Sequence, residues 1–246
     1  MPKEWYLLGG DGQFADSGLE DGEFAGFARE YFAEALDGTF LGEEVAIYRS
    51  GPGAAPPLVT RANVWGNTPA RESDSANAFN LRHLITRLGQ ASIGDYVLYK
   101  GDVYMVSERP GDNQVYQHSL MTFCNHELRW LGGGGEIVER KCVFRDATKY
   151  SFGQKTGEAV TIGDTRIELL LPRDPETVGI GRGRRFIIDD FDAAQIRDPM
   201  VYQVTKPNLA QRSGDGGGVL VFVLVEHSFN PATDSRAEMV ADFARY

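Results

Sequence analysis

The sequence predicts a mainly β protein: a β-barrel-like domain, then a second β domain that is a sandwich or another barrel, preceded by a short N-terminal helical arm. Three observations point there. From residue 95 onward, short runs of β-branched and aromatic residues alternate with turn residues. Near the start, Phe24, Phe27, Tyr31, Phe32 and Leu36 recur at helical spacing and Gly38 follows as a stop. The 246 residues are 42% apolar and 24% charged, near the globular average, and long enough for one large domain or two small ones.

Taken in order, the helix is expected over about 24–37. A strand near Val45–Tyr48 is separated from another near Leu58–Trp65 by the Gly- and Pro-rich loop Ser50–Pro57. Residues 74–88 are ambiguous: Leu81, Leu84, Ile85 and Leu88 fit one helix face with Asp74 as a cap, while Asn77 and Asn80 weaken that reading. Asp95–Val106 reads as a tight hairpin turning at Lys100-Gly-Asp102. Further β runs are Leu120–Trp130, Glu136–Arg145, Ala159–Ile162, Thr165–Leu171, Arg185–Ile188, Val201–Thr205 and Gly218–Glu226, and Pro231–Phe243 closes as a short helix opened by Thr233 or Asp234. Gly94-Asp-Tyr-Val-Leu-Tyr with Tyr104-Met-Val106 echoes Gly183-Arg-Arg-Phe-Ile-Ile with Tyr202-Gln-Val204. With the linker Gly132–Gly135, the echo divides the chain into an acidic arm (1–44), a barrel-like domain (45–131) and a second β domain (132–246).

The net charge of −10 is uneven. Residues 1–44 hold eleven acids against Lys3 and Arg29, so nearly all the excess sits in the arm. Such an end repels nucleic-acid phosphates and favours a basic protein partner, or simply stays solvated. The longest apolar run, Val219–Val225, is far short of the roughly 20 residues a membrane span needs, and Met1–Trp5 opens no signal-peptide core. A cytoplasmic protein with reduced cysteines is expected.

No catalytic set and no cofactor emerges. Cys124 and His126 share a strand face, with Cys142 and His118 as further metal ligands, but the spacing matches no zinc knuckle and buried structural cysteines are the stronger reading. Gly179-Ile-Gly-Arg-Gly-Arg184 lacks the spacing of a dinucleotide fingerprint and reads as a turn. Arg182, Arg184 and Arg185 at one strand start are suited to phosphates or a carboxylate-rich partner. Asp16–Gly22 fails the calcium-loop pattern, and Asp189, Asp190 and Asp192 fit a turn beside a strand. No nucleophile motif of the G-x-S-x-G kind occurs.

Over residues 63–246 the chain resembles a family of tailed-bacteriophage neck proteins, the head-closure or stopper components. The resemblance runs through Asn67-Thr, Gly94-Asp-Tyr-Val, Tyr104-Met-Val, Leu171–Thr177 and Gly183–Asp189. Its most specific part is Cys124-Asn-His-Glu-Leu-Arg-Trp130, then Cys142, then Asp146-Ala-Thr-Lys-Tyr150. Tyr202–Lys206, Phe229–Asp234 and Ala241–Phe243 also fit, whereas the acidic segment before residue 44 has no counterpart.

The resemblance implies a structural β-barrel protein that forms a ring, sixfold or twelvefold, in the virion neck. It implies portal or adaptor and tail terminator or tail tube as neighbours, non-specific contact with packaged DNA, and no membrane. Ser50–Pro57 and Pro69–Asn80 are the loops suited to face the channel or a neighbour. Arg182, Arg184, Arg185, Asp189 and Asp190 are the candidate interface residues. The rival readings are a capsid decoration or tail adhesion module, and a small β-rich hydrolase working at Asp189, Asp190, Asp192 or Cys124.

Overall fold

In a computed structural model the described residues are 18–38, 41–49, 56–66, 80–146, 149–150, 163–164, 167–188, 199–208 and 217–243. The protein is mainly β, with two six-stranded, barrel-like sheets and one N-terminal helix.

Helix α1 (Gly18–Asp37) starts earlier than its aromatic spacing predicts and ends at Gly38, whose amide bonds the Glu34 carbonyl at 2.9 Å. Ala25 and Leu36 are its buried residues, and Phe32 packs on Tyr116 with ring centroids 5.3 Å apart. Arg87 holds the C-terminal end through an ion pair with Asp37, and Arg29 donates to the Gln114 carbonyl. The helix is thus tied to the first sheet at both polar and apolar points.

Six strands make the closed barrel: β1 (Glu43–Tyr48), β2 (Leu58–Gly66), β3 (Leu81–Thr86), β4 (Tyr96–Tyr99), β5 (Asp102–Asp112) and β6 (Gln117–Phe123). The order is β1-β2-β3-β6-β5-β4, all antiparallel, and β4 returns to β1 with Ile47 opposite Val97. Alternation places Val45, Ile47, Ala62, Leu84, Val97, Tyr99, Tyr104, Val106 and Met121 in one interior cluster. Residues 81–86 therefore form a strand, because β-branched and aliphatic side chains find partners on both flanks and this outweighs the helical spacing. The predicted hairpin is present: Lys100 (φ 52°) and Gly101 (φ 92°) give the two left-handed residues that a tight two-residue turn requires.

The remaining strands are β7 (His126–Leu131), β8 (Ile137–Asp146), the short pair β9 (Lys149–Tyr150) and β10 (Gly163–Asp164), β11 (Ile167–Pro172), β12 (Arg185–Ile187), β13 (Val201–Asn208) and β14 (Val219–His227). One helical turn, α2 (Pro175–Val178), carries a capping box in which Asp174 accepts from the Thr177 amide and Thr177 accepts from the Asp174 amide. The second sheet runs β12-β13-β14-β11-β8-β7 and curls so that β12 lies against β7. Its interior holds Leu128, Trp130, Cys142, Leu169, Leu171, Phe186, Tyr202, Val204, Leu220 and Phe222.

Two boundaries differ from the sequence reading. The run Leu120–Trp130 is two strands in two different sheets, broken at Cys124-Asn125, so the domain switch falls there and not at residue 131. Pro231–Phe243 forms turns with a Ser235–Val240 bridge instead of a helix, because Asp234 is drawn inward as an ion-pair partner. The predicted strand Ala159–Ile162 and most of the loops Ser50–Pro57 and Pro69–Asn80 lie outside the described residues.

Candidate functional site

The block Cys124–Trp130 with Cys142 is the joint between the two sheets. Across the break Asn125 acts as a stand-in for a backbone unit. Its Nδ2 donates to the Phe144 carbonyl at 2.7 Å and its Oδ1 accepts the Phe144 amide at 2.8 Å, so pairing to β8 continues where β7 has not yet begun. Cys124 sends its amide to the Val103 carbonyl of the barrel at 2.9 Å. Its side chain enters a buried seam with Tyr96, Met105, Val143, Leu170, Val219 and Val221, drawn from both sheets. Trp130 meets Phe186 edge-on at 6.2 Å inside the second sheet.

Two further contacts fix the seam. The Tyr96 hydroxyl donates to the Lys141 carbonyl, and burial pushes the Tyr96 phenol far up from its ordinary value. Gly94 has φ +95°, and a Cβ built there lies 2.3 Å from the Gly218 carbonyl oxygen. Backbone touches backbone at that point, which only glycine permits.

The sequence-derived metal candidates serve other ends. Cys142 faces His126 across the β7/β8 ladder, but the His126 ring is turned edge-on to Phe144 at 5.2 Å. His118 sits on the outer wall of the barrel, with its Nε2 2.8 Å from His83 Nδ1. Among the described residues no cluster of three His, Cys, Asp or Glu side chains is placed to hold a metal ion. Burial pushes the Cys124 thiol up to about 12 and raises Cys142 well above its ordinary value, so both are protonated and weakly nucleophilic near neutrality.

The three arginines part company. Arg182 is exposed on the turn before β12. Arg184 is half-buried and donates to the Leu131 carbonyl, joining β12 to the end of β7. Arg185 is not an interface residue: it is buried, with its guanidinium held by Asp234 (2.7 and 3.0 Å), Asp242 (3.0 Å) and the Ser228 carbonyl (2.8 Å). Burial alone raises the Asp234 carboxyl. The amides of Asp242 and Asn230 with the Arg185 charge outweigh it and leave the group below its ordinary range. The motif segment Phe229–Phe243 is therefore a clamp that carries its acids to β12. Asp189, Asp190 and Asp192 lie outside the described residues.

Two surface clusters escape sequence reasoning because they depend on cross-strand register. On the outer barrel wall the Trp65 ring stacks on His83 at 4.8 Å and 4°, and on His118 at 6.0 Å and 11°. Burial and the nearby His118 lower the pKa of His83, and the two rings face each other nitrogen to nitrogen at 2.8 Å. Elsewhere on the barrel Arg82 donates to the Tyr104 hydroxyl at 3.0 Å and lies 5.9 Å from the Tyr99 ring centroid, while Lys100 pairs with Glu43 at 2.8 Å. The Lys100 and Tyr99 hydrogen bonds lower the Glu43 carboxyl below its ordinary range.

No family model matches the chain, and no curated protein matches it. Two solved structures align with it. One is "Structure of K. pneumonia MrkH in its apo state", at 10% identity over 91% of this chain and 87% of that one, with a TM-score of 0.22. The other is described as "MrkH, A novel c-di-GMP dependence transcription regulatory factor", at 10% identity over 84% of each chain and a TM-score of 0.21. Likeness at that level carries no argument about fold or function.

Proposed function

We propose that this chain is a structural protein of the head-tail junction of a tailed phage, forming a ring that closes the DNA exit channel and docks the tail. The observation that carries the reading is the resemblance of Cys124–Tyr150 to the head-closure family. The local structure gives that block a mechanical role that suits a scaffold. Asn125 splices the two sheets, Cys124 fills the seam between them, and Cys142 and Trp130 fill the second interior.

Chemistry at Cys124 is disfavoured by its own surroundings. A nucleophilic thiol needs a lowered pKa or an adjacent base, and this one is buried in an apolar seam and raised. In the neck reading, portal or adaptor and tail terminator or tail tube are the neighbours, and Arg182 with Arg184 is the charged docking patch. Exposed charge contributes little to stability and much to docking.

The deciding experiment is the copy number of the protein per purified particle, by quantitative mass spectrometry against the major capsid protein. About six to twelve copies is the expected result for a closed low-order ring. Hundreds of copies move the protein to the capsid surface, and absence from particles overturns the reading.

A further inference from the structure

Helix α1 buries one side and leaves an aromatic stripe on the other. Phe24, Phe27 and Tyr31 are 74%, 70% and 70% exposed, whereas Ala25 and Leu36 are buried against the barrel. At 100° per residue the three rings fall within an arc of about 60°, and the exposed carboxylates Glu30 and Glu34 flank its edge. Such a stripe presents roughly 400 Å² of apolar surface, the size of a functional patch on a typical monomer.

A symmetric pairing of two such helices would set Glu30 and Glu34 of one against the same acids of the other, so the stripe is not self-complementary. A complementary surface exists on the same chain. Between the barrel and the second sheet lies a cleft of about 310 Å³ lined by Tyr48, Tyr96, Leu98, Val103 and Lys141. Its walls are apolar and half-exposed apart from the buried Tyr96. Its charged rim is the Lys141 ammonium, which has three donors and spends one on Glu127. The cleft offers an aromatic ring a dry seat and a neighbouring carboxylate a cation.

We propose that the aromatic stripe of α1 docks into the Tyr48-Leu98-Val103 cleft of a second copy of this chain, a head-to-tail contact. Knob and hole lie on different parts of one molecule, so each copy makes the contact twice, once with each neighbour. The repeat closes into a ring or runs on as a filament according to the angle between copies. Two contacts per copy matter energetically, because a single stripe supplies only about half the roughly 800 Å² per partner of a standard interface. Ring closure rests on the neck reading; the contact itself does not.

The test uses the full chain in sedimentation velocity over a concentration series, with a knob variant (Phe24→Glu with Phe27→Glu) and a hole variant (Leu98→Glu), each checked for an unchanged circular dichroism spectrum and melt. The wild type is expected to associate, and each variant to shift the midpoint of association upward at least tenfold. Mixing the two variants is expected to restore a dimer and nothing larger, because the intact hole of one meets the intact knob of the other. A wild type that stays monomeric throughout, or variants that associate like the wild type, overturns the proposal, and so does a mixture with no dimer. Deleting residues 1–17 separates an intramolecular cover: association that appears only in the deletion assigns the stripe to the chain's own N-terminal segment and overturns docking between copies. These outcomes are independent of copy number in particles, so failure of the contact and failure of the neck reading are told apart.

Discussion

Asn125 and Phe144 are joined by a two-point bond, side-chain amide to backbone amide and carbonyl, at 2.7 and 2.8 Å. The pair sits where the chain leaves one sheet for the other and keeps the register of β8 while the backbone turns away. Replacing Asn125 with Leu is expected to cost about 1–2 kcal/mol, since two modest hydrogen bonds are lost in a partly solvated place. Asn125→Asp should cost more than Asn125→Leu at pH 7, because a carboxylate oxygen then faces the Phe144 carbonyl. Urea melts of the two variants check the order, and equal midpoints for both and the wild type refute it.

Gly94 and Gly101 make a matched pair for a second prediction. Both have φ near +90°, but a Cβ at Gly101 meets open space while one at Gly94 meets the Gly218 carbonyl. Gly101→Ala is expected to cost about 1 kcal/mol of backbone strain, and Gly94→Ala about 3 kcal/mol. The difference reports the seam. Thermal melts that place both variants at the same midpoint would show that the sheets separate without penalty.

The Arg185 clamp predicts an acid limb in stability. The Asp234 carboxyl lies below its ordinary value of 3.8 in the folded protein. Its contribution is complete above about pH 4 and is lost as pH falls through the lower folded value. Asp234→Asn should cost about 3 kcal/mol at pH 7, leaving buried Arg185 short of one counter-charge, and should flatten the stability profile below pH 4. Denaturant melts from pH 7 to pH 2 measure both.

The His83–His118 pair predicts a separate limb at milder pH. His83 titrates below its ordinary 6.5 when folded, so the unfolded chain binds the proton more readily. Stability from this site is complete above pH 6.5 and declines as pH falls toward the lowered value. His83→Gln should remove that slope while leaving the Asp234 limb in place.

Thiol reactivity offers a quick check on the seam. Cys124 and Cys142 are both free and buried. At pH 8 the native protein should consume a disulfide reagent at less than about a tenth of the rate of the unfolded chain. Rapid labelling of Cys124 in the native state would mean that the seam is open and would revive the nucleophile reading.

What was legible in the sequence is the part set by local alternation. The barrel strands apart from β3, the Lys100-Gly101 turn and the helix around Phe24–Leu36 follow from residue spacing, because each is decided by neighbours within a few positions. Leu81–Thr86, by contrast, carries a helical spacing that only its flanking strands overrule. The break at Cys124-Asn125 was hidden inside an unbroken β-prone run, since nothing local distinguishes a strand that ends from one that changes sheet. Arg185 looked like its exposed neighbour Arg182 because its partners, Asp234 and Asp242, lie 49 and 57 residues away. The Trp65-His83-His118 stack depends on which strands become adjacent, and spacing along one strand carries no such information. Thr233 or Asp234 fits a helix cap for the same reason: a hydroxyl or an acid after a turn suits a cap locally, and only the distant cation makes Asp234 an anchor.

The crossover has a consequence for synthesis. Strands β1–β6 lie before residue 124 and β7–β14 begin after residue 125. A chain emerging from the ribosome can therefore close the barrel before any of the second sheet exists. Until β11 and β14 arrive, Tyr96 and Met105 on the barrel lack the seam partners Leu170, Val219 and Val221. A nascent chain that has closed the barrel thus carries a bare apolar flank at Tyr96 and Met105 until roughly the last hundred residues arrive to cover it.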